Sequence, residues 1–133
     1  MASPCPIIDP SAWEVTADAD PSAEYVGLVS RLQFRGPDGL VLFQELVTRV
    51  IQQLGQSRGL LGWSMADSSN YSYLTLSAWH DESALRDFML KYPHREAMRR
   101  LRPLAVGRFV RFPIKGNELP LAWSDAVARL TVD

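Results

Sequence analysis

The stretch LTLSAWHDESALRDFMLKYPHREAMRR, residues 74–100, decides the fold of this chain. Residues 71–80 alternate between apolar and polar side chains, which predicts a β-strand that ends at the corner HD. Asp81 or Ser83 can cap the helix that follows, since either side chain accepts a hydrogen bond from a free backbone amide. The ring of Pro93 clashes with the preceding turn of a helix, so the helix is expected to kink or restart there.

The segments on either side complete a regular order of elements. Their periodicities predict a strand over residues 24–34, a helix over residues 38–54, strands over residues 59–67 and 104–114, and a terminal helix over residues 119–130. This order predicts an α+β, ferredoxin-like split β-α-β fold: a four-stranded antiparallel sheet with two helices on one face and an extra C-terminal helix. The domain is expected to span residues 24–133, after an acidic, proline-containing tail over residues 1–23.

The strand over residues 71–80 offers two different faces. The apolar set, expected beneath the helices, is Leu74, Leu76 and Ala78. The set expected on the open face is Tyr71, Tyr73, Thr75, Ser77 and Trp79. An aromatic and hydroxyl-bearing surface of this kind is too apolar to face water alone, so it predicts a homodimer that closes two sheets around a cavity.

Length and composition indicate one globular domain. The chain has 133 residues, of which 47% are hydrophobic. Its apolar runs are shorter than the roughly 20 residues that span a bilayer, and its first residues lack the pattern of a signal peptide. We therefore expect a cytoplasmic protein without a membrane partner. The one cysteine, Cys5, cannot form an internal disulfide and has no nearby histidine that would activate it.

Basic residues concentrate in the second half of the chain, where they suggest an acidic partner at first sight. Arg95, Arg99 and Arg102 recur at helical spacing beside the apolar Met98 and Leu101, which is typical of a helix with one solvated face. The formal net charge is -1, and the sequence contains no nucleic-acid-binding motif. Nucleic acid is therefore not an expected partner.

Residues 74–100 contain a strand, a tryptophan, a helix and a histidine in that order, and they are preceded by a helix and the sequence GLLGWS. This arrangement resembles the antibiotic-biosynthesis-monooxygenase type of dimeric α/β barrel. The resemblance extends from about residue 26 to residue 130. It is greatest to an uncharacterised branch whose strand ends in LS-W and whose C-terminus reads P---EA--RL, where this chain has LPLAWSDAVARL. The resemblance implies a homodimer with a pocket between sheet and helices in each subunit.

The same resemblance implies two classes of function. The first is a monooxygenase-like enzyme that acts on an apolar aromatic small molecule without a tightly bound cofactor, with His94, Trp79, Tyr73 and Arg31 near the substrate. A hydrogen-bonding pocket would stabilise a substrate carbanion that reacts directly with O₂. The second is a non-catalytic dimer that binds haem through His94, or another hydrophobic ligand. Haem-degrading relatives carry a tryptophan where this chain has Phe88, which argues against haem degradation.

Structural roles compete with these functional ones. Trp79 at the end of a strand can serve as a packing anchor, and His94 after a proline can cap the restarted helix. His80 beside Asp81 is expected to be exposed. Two histidines without cysteines or carboxylates at ligand spacing argue against a metal site.

Overall fold

The computed structural model describes residues 7–10, 12–68 and 71–131 of the chain. The strands are β1 (Ile7–Pro10), β2 (Glu14–Val15), β3 (Glu24–Phe34), β4 (Leu60–Ser68), β5 (Ser72–Trp79) and β6 (Ala105–Lys115). The helices are α1 (Pro37–Gly55), α2 (Glu82–Leu90), α3 (His94–Leu101) and α4 (Trp123–Leu130), with short 3-10 turns at Arg102–Leu104 and Gly116–Glu118. None of these helices combines the length and apolar character that crossing a bilayer requires.

The strands form one antiparallel sheet in the order β1-β4-β5-β3-β6, and β2 pairs with β4. The four long strands thus follow the order β4-β5-β3-β6, and the predicted ferredoxin-like fold is confirmed. The sheet is larger than the four strands expected. β1 and β2 come from the segment predicted as a tail, and they pair with β4 at its two ends.

The helices α1, α2 and α3 pack on one face of the sheet. Phe34 of β3 lies in one apolar cluster with Phe43 of α1 and Leu101 of α3. Asp81 caps α2, because its carboxylate accepts a hydrogen bond of 2.8 Å from the backbone amide of Ala84. The predicted break at the proline is confirmed, since α2 ends before it and α3 begins directly after it.

The predicted assignment of the two faces of β5 is wrong, because the faces are reversed. Leu28 pairs with Ser77 and Leu32 pairs with Tyr73 across the sheet, and directly paired residues share a face. The side chains beneath the helices are therefore Tyr73, Thr75, Ser77 and Trp79. Tyr71 lies in the turn before β5, where it is half-exposed.

The opposite face of the sheet is covered by the chain itself, which is why the apolar residues of β5 lie there. Leu74, Leu76 and Ala78 are buried in one cluster with the residues that α4 turns toward the sheet: Ala126, Val127 and Leu130. Trp123 anchors the helix by donating from its indole nitrogen to the Ser64 hydroxyl, at 3.2 Å. Arg108 caps its end by donating from Nε to the Leu130 carbonyl, at 2.6 Å.

The segment before β3 also packs against this face. Trp13 belongs to the same apolar cluster, and its indole lies over the backbone of Gly62 in β4. A Cβ atom at position 62 would lie 2.6 Å from Trp13 Cζ2, which is closer than two carbon atoms approach without displacement. The absence of a side chain at Gly62 thus lets the N-terminal segment lie flat on the sheet.

Replacing Gly62 with alanine should displace the Trp13 indole and lower the free energy of unfolding by about 1–3 kcal/mol, the usual effect of overpacking. Urea denaturation measures this change. Gly55→Ala is the control, because no atom lies near its Cβ position at the end of α1, and it should have no effect or stabilise the helix by up to about 1 kcal/mol. Equal stability of Gly62→Ala and the unmodified protein would contradict the packing role of Trp13.

Candidate functional site

A pocket lies between the sheet and the three helices that cover it. Its apolar walls include Leu28, Leu46, Val50, Trp63, Phe88 and Met98. The residues that line it include no aspartate, glutamate, lysine or arginine. About 90 Å³ is open to the centre of a water-sized molecule, whereas a single water needs about 10–15 Å³. The pocket is therefore larger than a packing defect, and its lining favours a neutral, apolar ligand.

His94 is the one ionisable residue in the wall of this pocket. It occupies the first position of α3, and its ring packs against Phe88 at 4.6 Å between ring centroids. Its Nδ1 lies 3.2 Å from the carbonyl oxygen of Met89. A carbonyl only accepts hydrogen bonds, so Nδ1 carries the proton in the neutral ring and Nε2 keeps a lone pair. His94 therefore presents a base to its surroundings.

The apolar surroundings determine the charge of His94. Burial lowers the pKa of the imidazole below its ordinary value, and the hydrogen bond to the Met89 carbonyl offsets only part of that shift. The ring is therefore neutral at pH 7. Below the ordinary pKa of histidine the unfolded chain binds this proton more readily than the folded chain does, so acidification lowers the free energy of unfolding.

The floor of the pocket carries three hydroxyl groups, which belong to Ser30, Thr75 and Ser77. The Ser30 Oγ and Thr75 Oγ1 atoms are in hydrogen-bond contact across the β3-β5 pair. The Ser77 Oγ accepts a hydrogen bond of 2.8 Å from the indole nitrogen of Trp79. Alternation in β5 identifies Thr75 and Ser77, although the face predicted for them is wrong, and Ser30 of β3 is not among the predicted site residues.

Trp79 lies behind the residues that line the pocket. Its side chain is fully buried, and its ring packs against Phe88 at 5.2 Å between centroids. It does not line the pocket itself, but it contacts two residues that do, Phe88 by ring packing and Ser77 by its hydrogen bond. This placement agrees with the packing-anchor alternative for Trp79.

Tyr73 and Arg31 are not brought to the pocket. Tyr73 lies on the correct face but packs against Phe43 at 4.4 Å between centroids, outside the pocket lining. Arg31 pairs with Leu74 and Arg108, so it lies on the face that α4 covers, with the sheet between it and the pocket. Of the four predicted site residues, only His94 lines the pocket.

Other residues considered for chemistry lie elsewhere. His80 is exposed, as expected, and its Nδ1 lies 3.3 Å from the Asp81 carboxylate. Cys5 lies outside the described residues. Within the described ranges no three metal-ligating side chains come together.

Gln53 of α1 links the end of α2 to the start of α3, where His94 lies. Its Nε2 donates to the carbonyl of Phe88 at 2.9 Å and more weakly to that of Lys91 at 3.5 Å. Its Oε1 accepts from the backbone amide of His94 at 2.8 Å. One side chain thus satisfies an end of α2 and the start of α3, where backbone groups have no partner within their own helix. Nothing in the sequence distinguishes Gln53 for this role, because Gln52 beside it and Gln56 at the C-cap of α1 are also glutamines.

Comparison with solved structures shows the fold. SnoaB, a cofactor-independent oxygenase from Streptomyces nogalater, is 20% identical with a TM-score of 0.57, and the match covers 68% of this chain and 92% of that chain. Rv0793 from Mycobacterium tuberculosis is 13% identical with a TM-score of 0.57, covering 69% and 93%. An antibiotic biosynthesis monooxygenase is 11% identical with a TM-score of 0.59, covering 65% and 95%.

These similarities confirm the resemblance at the level of the fold, which is that of antibiotic-biosynthesis-monooxygenase-like proteins. No protein-family model matches the chain, and no curated protein matches it in sequence. An inference about function therefore has to start from the residues of the pocket.

Replacing Gln53 with leucine should lower the free energy of unfolding by about 1–3 kcal/mol, because it leaves the His94 amide and the Phe88 carbonyl without their partner. Urea denaturation measures the loss. Gln52→Leu is the matched control, since Gln52 is an exposed neighbour on the same helix. Equal stability of the two variants would show that the Gln53 bridge does not hold the two helices together.

Proposed function

We propose that this chain is an oxygenase that acts on a small, neutral aromatic molecule without a tightly bound cofactor. The observation that carries the proposal is the neutral imidazole of His94 in the wall of a pocket whose lining is otherwise apolar or hydroxyl-bearing. Such a pocket excludes water from a reactive anion and supplies one group that can move a proton. SnoaB, which has the same fold, is a cofactor-independent oxygenase, and this supports the same reaction class.

His94 is proposed as the general base. Its Nε2 lone pair would remove a proton from an activated CH₂ group of an electron-rich aromatic ketone, and the resulting carbanion would react with O₂. One oxygen atom becomes the carbonyl oxygen of the product, and the other leaves as water with the two hydrogens of that CH₂ group. The substrate supplies all four electrons that reduce O₂, so the reaction needs no external reductant.

Anthrone provides a direct test, because it has an activated CH₂ group within a flat three-ring frame. The purified protein should accelerate oxygen uptake and anthraquinone formation above the rate in buffer, as followed with an oxygen electrode and by absorbance. His94→Gln should lower the catalysed rate by about 10²–10⁴-fold, since it removes the base. His80→Gln, which changes an exposed histidine, should leave the rate unchanged.

Two results would contradict the proposal. A catalysed rate that His94→Gln leaves intact would exclude His94 as the base. An oxygen uptake equal to that in buffer would overturn the oxygenase proposal for this class of substrate.

Haem binding through His94, the predicted alternative, has one supporting feature. The Nε2 lone pair is suited to an iron ligand. The two propionates of haem need cationic partners, however, and no lysine or arginine lines the pocket. Arg111, which reaches across toward Met89, is paired with Glu82 at 3.0 Å. The residues present therefore do not fit haem as a whole.

We also propose that the protein forms a homodimer. The sheet face predicted to be open gives no support for this dimer, because α4 covers it. The support lies at β6, which forms one edge of the sheet and exposes Val106 and Phe109, 60% and 42% of whose surfaces are accessible. Phe109 also lines the pocket, so a second copy at this edge would cover part of the pocket wall.

Sedimentation equilibrium should give twice the chain mass of 14.9 kDa. Val106→Asp should shift the protein toward the monomer, because it places a charge within the proposed apolar contact. Val41→Asp is the control, since Val41 is similarly exposed but lies on α1. A monomeric unmodified protein, or an equal effect of the two variants, would contradict a dimer built on β6.

A further inference from the structure

The three hydroxyl groups of the pocket floor form a row on one face of the sheet. Ser30 pairs directly with Thr75 across β3 and β5. Ser77 lies two residues further along β5, so its side chain is about 7 Å from that of Thr75 on the same face. Ser30 and Ser77 are buried and Thr75 is half-buried. These groups are held by the sheet and not by a mobile loop.

Two of the three hydroxyl protons in this row have no hydrogen-bond acceptor among the described residues. The Trp79 indole nitrogen is only a donor, so Ser77 accepts in their hydrogen bond and keeps its own hydroxyl proton. In the contact between Ser30 and Thr75 one hydroxyl donates and the other accepts, and the accepting group again keeps its proton. Among the described residues no side chain or backbone acceptor receives either proton.

We propose that this row is a recognition site for an oxygen acceptor of the ligand, a carbonyl or enolate-type oxygen. A buried hydroxyl donor without an acceptor loses free energy, and a ligand oxygen restores the missing hydrogen bond. The lining has no cationic side chain, so the row selects a neutral or resonance-stabilised oxygen and not a carboxylate or phosphate. The inference deepens the proposed function, since it concerns the ligand of the same pocket.

The row also assigns a role to Trp79. By occupying one lone pair of the Ser77 oxygen, the indole restricts how the hydroxyl can rotate. Trp79 is itself fully buried, so this orientation does not depend on solvent. Trp79 is therefore a positioning residue for Ser77, and it need not touch the ligand.

A matched pair of probes tests the row. Fluorenone and fluorene share one three-ring frame, and only fluorenone has a carbonyl oxygen. Equilibrium dialysis measures both affinities, and their ratio isolates the contribution of the oxygen. Ser77→Ala or Thr75→Val should lower the preference for fluorenone by about 3–10-fold, as expected for one neutral hydrogen bond. Ser124→Ala, which changes an exposed serine on α4, should leave it unchanged.

The outcomes separate this inference from the proposed reaction. An unchanged preference in both floor variants, or no binding of either probe by the unmodified protein, would overturn the inference. Circular dichroism of each variant shows whether the fold is intact, and two independent substitutions guard against the loss of one. A reduced preference in a protein that does not consume oxygen with anthrone would support the recognition site and overturn the oxygenase.

Discussion

The pairing of β3 with both β5 and β6 is the constraint on which the rest of the structure depends. It places Leu28 opposite Ser77 and Ser30 opposite Thr75, and so it decides which side chains of β5 lie beneath the helices. A shift of the register by one residue would move every side chain of β5 to the other face. Thr75 and Ser77 would then lie under α4, and Leu74 and Leu76 would replace them beneath the helices, so that Ser30 of β3 alone would remain of the hydroxyl row in the pocket floor. The polarity of the pocket is thus set by backbone pairing.

Much of the fold could be predicted from the sequence, because the decisive signals are local. Alternation identifies the long strands, and a capping carboxylate and a proline set the limits of α2 and the start of α3. The sheet face on which each side chain of β5 lies is not determined by the local sequence. Alternation shows that Leu74 and Thr75 lie on opposite faces, but which face the helices cover depends on residues far along the chain. Here α4 and Trp13 cover the second face, and the apolar set follows them.

The site could be predicted only in part for the same reason. His94 could be found because it follows a helix break within one short stretch of sequence. Ser30 and Gln53 could not, since their partners Thr75 and His94 are 45 and 41 residues away and neither residue has a distinctive neighbourhood. Arg31 has a side chain suited to a substrate pocket, but strand alternation places it on the far side of the sheet. The residue type suggests a chemical role, whereas the strand register decides whether the side chain reaches the pocket.

The two edges of the sheet differ, and this limits how copies of the chain can assemble. The β4 edge is occupied by β1 and β2, which have four and two residues, whereas β6 has eleven residues and its outer side has no partner strand among the described residues. Short strands offer few backbone groups for continued pairing. In the proposed dimer, association through β6 would use the same surface on both partners, so that it would close at two copies. In such a dimer the short strands β1 and β2 would leave the β4 edge little backbone for further pairing.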